Sequence, residues 1–168
     1  MINLYTFPID NDKKLGNGVL FYYPHQITEW IIEYKPLPFM KLKKEKRKLI
    51  TNLTKKETNF YDESTDSLKK VDFPIEKHII LPINYEKKDM EKNSVKYLQE
   101  HYLHKKKVWS YPTLTLLDTY PLYIPYFISR KERKGKNINI LFEPITGNCD
   151  VLDNYKEIQK YLKERNVI

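Results

Sequence analysis

The segment Tyr120 to Val151 restricts the fold more than any other part of the chain, because several local patterns agree there. Leu122 to Arg130 is rich in aromatic and β-branched residues, and Ile138 to Phe142 alternates apolar with polar side chains. Between them lies a basic turn that contains Gly135. The pattern predicts a β-hairpin made of these two strands.

Apolar residues at helical spacing occur in four other segments. These are HQITEWIIEYK (25–35), the basic stretch MKLKKEKRKLITNLTKK (40–56), Asp89 to Lys106 and Asp153 to Arg165. In the first segment a strand is the alternative, because Thr28, Trp30, Ile32 and Tyr34 also alternate along the chain.

Short apolar runs predict additional strands, and one polar stretch predicts an exposed loop at residues 55–72. The strand candidates are Ile2 to Ile9, Val19 to Tyr23, Lys77 to Ile83 and Trp109 to Leu117. Together the patterns predict a single α+β domain over residues 1–168. It has an antiparallel sheet of about four to six strands, with three or four helices packed on one side.

The length of 168 residues allows one hydrophobic core without disulfides, and the aromatic content of 14% indicates a core rich in rings. A single cysteine, Cys149, excludes an intramolecular disulfide and any site built from several thiolates. No run approaches the roughly 20 apolar residues of a membrane helix, and the N-terminus lacks a secretory pattern. A cytoplasmic protein without membrane insertion is therefore predicted.

Thirty basic residues against 22 acidic ones give a net charge of +8, which attracts polyanions such as nucleic acid or acidic proteins. Mutational bias in an AT-rich genome produces the same lysine-rich, tyrosine-rich and asparagine-rich usage, so charge alone does not identify a partner.

Two basic segments are the candidate nucleic-acid-binding sites. A basic helix can lie along a phosphate backbone, and a basic hairpin with aromatic residues can enter a groove or stack on bases. The candidate residues are Lys41, Lys43, Lys44, Lys46, Arg47 and Lys48 in the predicted helix, and Arg130, Lys131, Arg133, Lys134, Lys136 and Tyr126 in the hairpin. The alternatives are a solvated helix face, a charged tip that keeps the hairpin soluble, and aromatic residues that belong to the core.

Chemistry-bearing motifs are scarce. His101 and His104 lie three residues apart on a predicted helix, but no further metal ligand completes the set, and Lys105 to Lys107 make them part of a basic patch. Cys149 has no catalytic motif around it, and the chain lacks a phosphate-cradling loop, a nucleophile elbow and a zinc-protease motif. The sequence predicts a protein that is not an enzyme and uses no metal or cofactor.

The leading hypothesis is a small basic intracellular binding protein that engages nucleic acid, or a complex bound to it, through the basic helix and the basic hairpin. The alternative is an interaction or inhibitor protein that docks on an acidic partner protein through tyrosines and lysines, without binding nucleic acid. Fourteen tyrosines are available for such a rigid, amphipathic contact surface.

Overall fold

The computed structural model describes residues 2–7, 18–62, 68–73, 79–133 and 135–168. The strands in this part of the chain are β1 (Ile2–Thr6), β2 (Val19–Tyr34), β3 (Lys43–Asn52), β4 (Glu57–Phe60), β5 (Lys69–Phe73), β6 (Ile79–Ile80), β7 (Thr113–Arg133), β8 (Lys136–Phe142) and β9 (Cys149–Val151). The helices are α1 (Lys87–Glu100), a π-helix that continues it over His101–Lys105, a 3-10 helix at Leu152–Asn154 and α2 (Lys156–Glu164).

The nine described strands form one mixed sheet in the order β4-β3-β2-β7-β1-β5, with β6 beside β2 and the β8–β9 pair beside β7. β6 runs parallel to β2, whereas β2–β3, β3–β4, β1–β5, β7–β8 and β8–β9 are antiparallel. The predicted fold, a sheet of four to six strands with three or four helices on one side, is therefore wrong. The described chain has one helix of 19 residues, formed by α1 and the π-helix, and one short helix, α2.

The first predicted helix, residues 25–35, is the second half of β2. Thr28, Trp30, Ile32 and Tyr34 are buried, and the residues between them are partly exposed. A burial period of two is that of a strand, and the β-branched residues of this segment favour extended backbone. The alternative stated for this segment is the correct one.

The second predicted helix, the basic segment 40–56, contains strand β3 instead. β3 pairs antiparallel with β2 from Tyr34 opposite Lys43 to His25 opposite Asn52. The helical spacing of the leucines predicts one shared buried face, but Leu49 is fully buried while Leu42 is exposed. Pairing with β2 satisfies the backbone of a segment whose side chains are too polar to anchor a helix to a core.

The predicted hairpin is confirmed. β7 and β8 pair from Phe127 opposite Phe142 to Arg133 opposite Lys136, and Gly135 in the turn has φ +71°, a backbone conformation that favours glycine. The strand predicted at residues 109–117 is not separate, because β7 is continuous over 21 residues. It runs through two prolines, whose fixed φ is compatible with extended backbone.

The two remaining predicted helices are confirmed. The helix predicted at Asp89 to Lys106 corresponds to α1 and its π-helical end, and the one predicted at Asp153 to Arg165 corresponds to α2. The last helix begins at Lys156 and not at the predicted Asp153, which lies in the preceding 3-10 helix.

Strand β4 and all but the last residue of β5 lie within the segment 55–72, so this segment is not the uninterrupted polar loop that its composition predicts. β4 pairs with β3 from Leu49 opposite Phe60 to Asn52 opposite Glu57. Residues 63–67 of this segment, and the ends 8–9 and 77–78 of two predicted strands, lie outside the described residues.

The chain divides into two compact units, and β2 and β7 contribute to both. Unit 1 consists of Met1–Pro24, Thr65–Pro82 and Tyr123–Ile168, and unit 2 of His25–Ser64 and Ile83–Leu122. In unit 1, α2 packs on strands through a buried cluster of Phe21, Tyr23, Leu81, Ile128, Leu141, Leu152, Ile158 and Leu162. In unit 2, α1 and the π-helix pack on strands through Trp30, Ile32, Tyr34, Leu49, Leu98 and Tyr102.

Candidate interaction surface

Two loops of unit 2 lie side by side and are joined by hydrogen bonds. Residues 35–42 connect β2 to β3, and residues 106–112 connect the π-helix to β7. The Trp109 N–H and the Ser110 N–H donate to the Lys35 carbonyl oxygen at 2.9 and 3.3 Å. In return, the Lys35 N–H donates to Ser110 Oγ at 2.7 Å. These bonds fix the loops to each other, and we call the pair the two-loop surface.

The two-loop surface exposes large apolar side chains. Phe39 exposes 85% of its accessible area and Trp109 exposes 67%. Of the eight exposed large apolar side chains in the described residues, six lie in these loops: Leu37, Phe39, Met40, Leu42, Trp109 and Tyr111. Single exposed apolar residues are ordinary, but a cluster of them is typical of a binding surface.

Prolines shape the turn that carries Phe39. Pro36 and Pro38 have no N–H to donate to a strand ladder, which ends β2. The Met40 N–H donates to the Leu37 carbonyl oxygen at 3.1 Å, which closes a four-residue turn. Pro38 takes the second position of the turn, where its fixed φ is favoured, so Phe39 follows at the third position.

The second loop is anchored by a charged network at its first residue. Lys106 Nζ donates to Glu45 Oε1 at 2.6 Å, and the Tyr102 hydroxyl donates to the same oxygen. The Lys106 ammonium also lies 4.7 Å from the centre of the Tyr102 ring and 5.3 Å from that of Tyr34, a cation–π arrangement. This network restrains the start of the loop, and the backbone hydrogen bond from Trp109 to Lys35 restrains its middle, which lowers the entropic cost of ordering the loop on binding.

The two loops carry positive charge only. Lys35, Lys41, Lys106 and Lys107 lie in them, and neither loop contains Asp or Glu. Lys43, just beyond the first loop, is also exposed, and neither it nor Lys41 has an ion pair within the described residues. Lysines and exposed apolar residues therefore share the same two loops.

The basic segment predicted to bind nucleic acid is largely paired with carboxylates in the structure. Its ion pairs are Lys44 with Glu33 at 2.9 Å, Lys46 and Lys48 with Glu29 at 2.5 and 3.0 Å, and Arg47 with Glu45 at 3.6 Å and Asp62 at 3.9 Å. Burial raises the pKa of Glu29, but the hydrogen bonds from Lys46 and Lys48 outweigh it and hold that pKa below its usual value. Glu29 is thus ionised and shields two of the candidate lysines.

The candidate residues of the hairpin belong to unit 1. Arg130, Lys131 and Lys136 are exposed near its tip, whereas Lys134 and the side chain of Arg133 lie outside the described residues. Tyr126 stacks on Phe21 with ring centres 5.7 Å apart. Burial, followed by the Glu143 charge, raises the pKa of Tyr126. The Tyr126 ring is thus engaged by the core of unit 1.

His101 and His104 lie in the π-helix, and the imidazole of His101 meets the Phe60 ring edge-on at 4.6 Å. In the described part of the chain, no three His, Cys, Asp or Glu side chains gather in a group able to hold a metal ion. Cys149 is exposed at the first position of β9.

The sequence does not single out the two-loop surface, because exposed and buried apolar residues look alike in it. The available pattern is KPLPFMKL together with KKVWSYP, in which prolines and lysines flank large apolar residues. Such stretches are equally compatible with loops whose apolar residues are buried in the core. Only the packing distinguishes the two outcomes.

Comparison with protein-family models, curated proteins and solved structures finds no match for this chain. Among the residues that the structure describes, no helix combines the length and apolar character needed to span a bilayer. The functional inference therefore rests on the geometry of the chain itself.

Proposed function

We propose that this protein acts by binding another protein, one with an acidic surface, through the two-loop surface. The observation that carries the proposal is the cluster of six exposed large apolar side chains on loops that hydrogen-bond to each other and carry lysines without a carboxylate. Aromatic residues and methionine are enriched at the centres of protein interfaces, and Trp109, Tyr111 and Met40 supply them here.

The charge favours a partner that is different from the chain itself. If two copies met through this surface, lysines of one copy would face lysines of the other, which destabilises the complex. An acidic partner instead places carboxylates opposite Lys35, Lys41 and Lys107, while its apolar groups cover Phe39 and Trp109. Such complementarity also accelerates association.

The side-chain chemistry favours protein over nucleic acid at this surface. Bases stack on rings, but Leu37, Met40 and Leu42 have no aromatic face and find suitable contacts only in another apolar surface. The neighbouring strand β3 does not extend the surface into a phosphate track, because Lys44 and Lys46 already face glutamates.

Nucleic-acid binding by the hairpin of unit 1 is the second candidate function. The observation that favours it is the exposure of Arg130, Lys131 and Lys136 on neighbouring strands near one tip. We further propose that the protein acts in the cytoplasm, the location that its sequence predicts.

Site-specific photo-crosslinking tests the proposal in cells that produce the protein. A benzophenone amino acid replaces Phe39 or Trp109, and the matched control places it at Leu117, which is exposed on β7 outside the two loops. We expect one protein adduct at positions 39 and 109 that is absent at position 117, and its identification gives the partner for binding measurements. An adduct that nuclease removes, or equal labelling at all three positions, contradicts the proposal.

With the purified partner, Trp109→Ala tests whether the cluster provides the binding energy. Central aromatic residues contribute about 2 kcal/mol or more, so we expect affinity to fall by roughly 30-fold or more. Lys107→Gln removes a charge at the border of the cluster and is expected to slow association with a smaller loss of affinity. Unchanged affinity in Trp109→Ala contradicts the proposal.

A further inference from the structure

A cavity of about 270 Å³ opens in unit 2 where α1 continues as the π-helix. It is lined by Tyr97, Glu100, His101, His104 and Lys105. None of these residues belongs to the two-loop surface, so the cavity is separate from the proposed docking site. A π-helical turn is rare and occurs often at functional sites, and here it supplies three of the five lining residues.

One lysine, Lys105, lines the cavity, and the cations Lys106 and Arg47 lie near it. His104 and Lys105 are exposed at its edge. Burial and then the charges of Lys106, Lys105 and Arg47 lower the pKa of His101. Three cations thus lie close enough to one imidazole to oppose its protonation, and a bound anion would relieve that repulsion.

Each of the two carboxylates near the cavity lies beside a lysine. Glu100 lines it, with Lys96 Nζ 3.8 Å from its carboxylate. Glu45 faces His101 from β3, but it accepts hydrogen bonds from the Tyr102 hydroxyl and Lys106 Nζ. The remaining polar groups of the lining, Lys105, the two imidazoles and the Tyr97 hydroxyl, can each donate a hydrogen bond.

Aromatic rings hold His101 in position. The Phe60 ring lies 4.6 Å from the His101 imidazole and 5.3 Å from the Tyr97 ring, centre to centre. These edge-on and tilted contacts restrict rotation of both side chains, so the cavity is formed without a ligand.

We propose that this cavity binds a small anion of the phosphate or sulfate class through Lys105, His104 and His101. The Lys105 ammonium and the imidazole N–H groups donate to the anion oxygens, and the Tyr97 ring provides an apolar wall. Its volume accommodates an oxyanion or a small phosphate ester. This inference is independent of the proposed docking function, because it uses different residues and a different class of ligand.

Proton NMR titration of the histidine ring signals tests the inference, with sulfate as the probe because its charge is constant between pH 5 and 8. Each titration is repeated in chloride at the same ionic strength. We expect sulfate to raise the pKa of His101 by about 0.5 or more in a saturable manner, because the anion prefers the imidazolium form. His25, a buried histidine of β2, serves as the internal reference and is expected not to respond.

Lys105→Gln is expected to weaken sulfate binding by about fivefold or more, since it removes a charged donor at an exposed edge. The matched control is Lys92→Gln, an exposed lysine of α1 outside the cavity lining, which is expected to bind as the parent does. A titration with phenyl phosphate in place of sulfate distinguishes two classes of ligand. Tighter binding of phenyl phosphate than of sulfate indicates a phosphate ester whose organic group contacts the Tyr97 ring. Equal binding of the two indicates a free oxyanion. Equal responses to sulfate and chloride, or equal effects of the two lysine variants, overturn the inference.

Discussion

The variants Leu98→Ala and Phe39→Ala together test the packing of unit 2 and the exposure of the two-loop surface. Leu98 of α1 is fully buried against the sheet, whereas Phe39, a larger side chain, exposes 85% of its area. If both side chains stabilised the fold through burial, removal of the larger one, Phe39, would lower the free energy of unfolding more. The structure implies the opposite order.

The magnitudes follow from burial. Removing a buried leucine side chain loses its transfer free energy and leaves a cavity, so we expect Leu98→Ala to lower the free energy of unfolding by about 3–5 kcal/mol. Phe39 buries only a small part of its ring, and at about 25 cal/mol per Å² its removal costs about 0.5 kcal/mol or less. With a urea dependence of about 2 kcal/mol/M, these values shift the midpoint by roughly 1.5 M or more for Leu98→Ala and by about 0.25 M or less for Phe39→Ala.

Urea unfolding followed by tryptophan fluorescence measures both variants. Trp30 is buried in the same cluster as Leu98, so its emission reports the unfolding of unit 2, and circular dichroism of the same samples serves as an independent probe. A midpoint shift below about 0.5 M for Leu98→Ala would refute the packing of α1 on the sheet. A Phe39→Ala shift as large as that of Leu98→Ala would mean that Phe39 is buried, and the two-loop surface would lose its principal feature.

Two further changes test other parts of the molecule. Glu29→Gln weakens the contacts of Glu29 with Lys46 and Lys48 and is expected to cost about 1–2 kcal/mol at pH 7. Because the pKa of Glu29 is lower in the folded protein, this stabilisation is present above about pH 4.5 and is lost as the pH falls through the folded value. The urea midpoints of parent and variant should therefore approach each other as the pH is lowered below about 4.5, and a difference that does not shrink would contradict the ion pairs. In unit 1, Ile158→Ala in α2 is expected to cost about 2–5 kcal/mol in thermal unfolding, because Ile158 is fully buried, and a loss below 1 kcal/mol would argue against the packing of α2.

Local patterns sufficed for the hairpin and for two of the four predicted helices. The hairpin of β7 and β8 was predictable because aromatic and β-branched strands flank a basic turn with a glycine that needs positive φ. α1 and α2 were predictable because their apolar residues, such as Leu98 and Ile158, recur only at helical spacing. In residues 25–35 both periods fit, and the choice depended on β3 and β7 lying alongside.

The basic segment shows most clearly how pairing overrides local pattern. Lysines at positions 44, 46 and 48 fit the polar side of a helix as well as one face of a strand. On the strand they meet Glu29 and Glu33 of β2, partners that lie more than ten residues away in the sequence. The candidate site therefore changed from a free basic helix to a strand whose charges are largely compensated.

The sequence by itself determined the basic charge, the aromatic character, the hairpin and the two helices, because each depends on composition or on residues close together in the chain. Tertiary structure decided the nine-stranded arrangement, the pairing of the β3 lysines and the exposure of Phe39 and Trp109. Burial and ion pairing depend on which distant segments come together. The Lys35 carbonyl oxygen bonded to the Trp109 and Ser110 N–H groups joins residues more than seventy positions apart, and no local spacing encodes that contact.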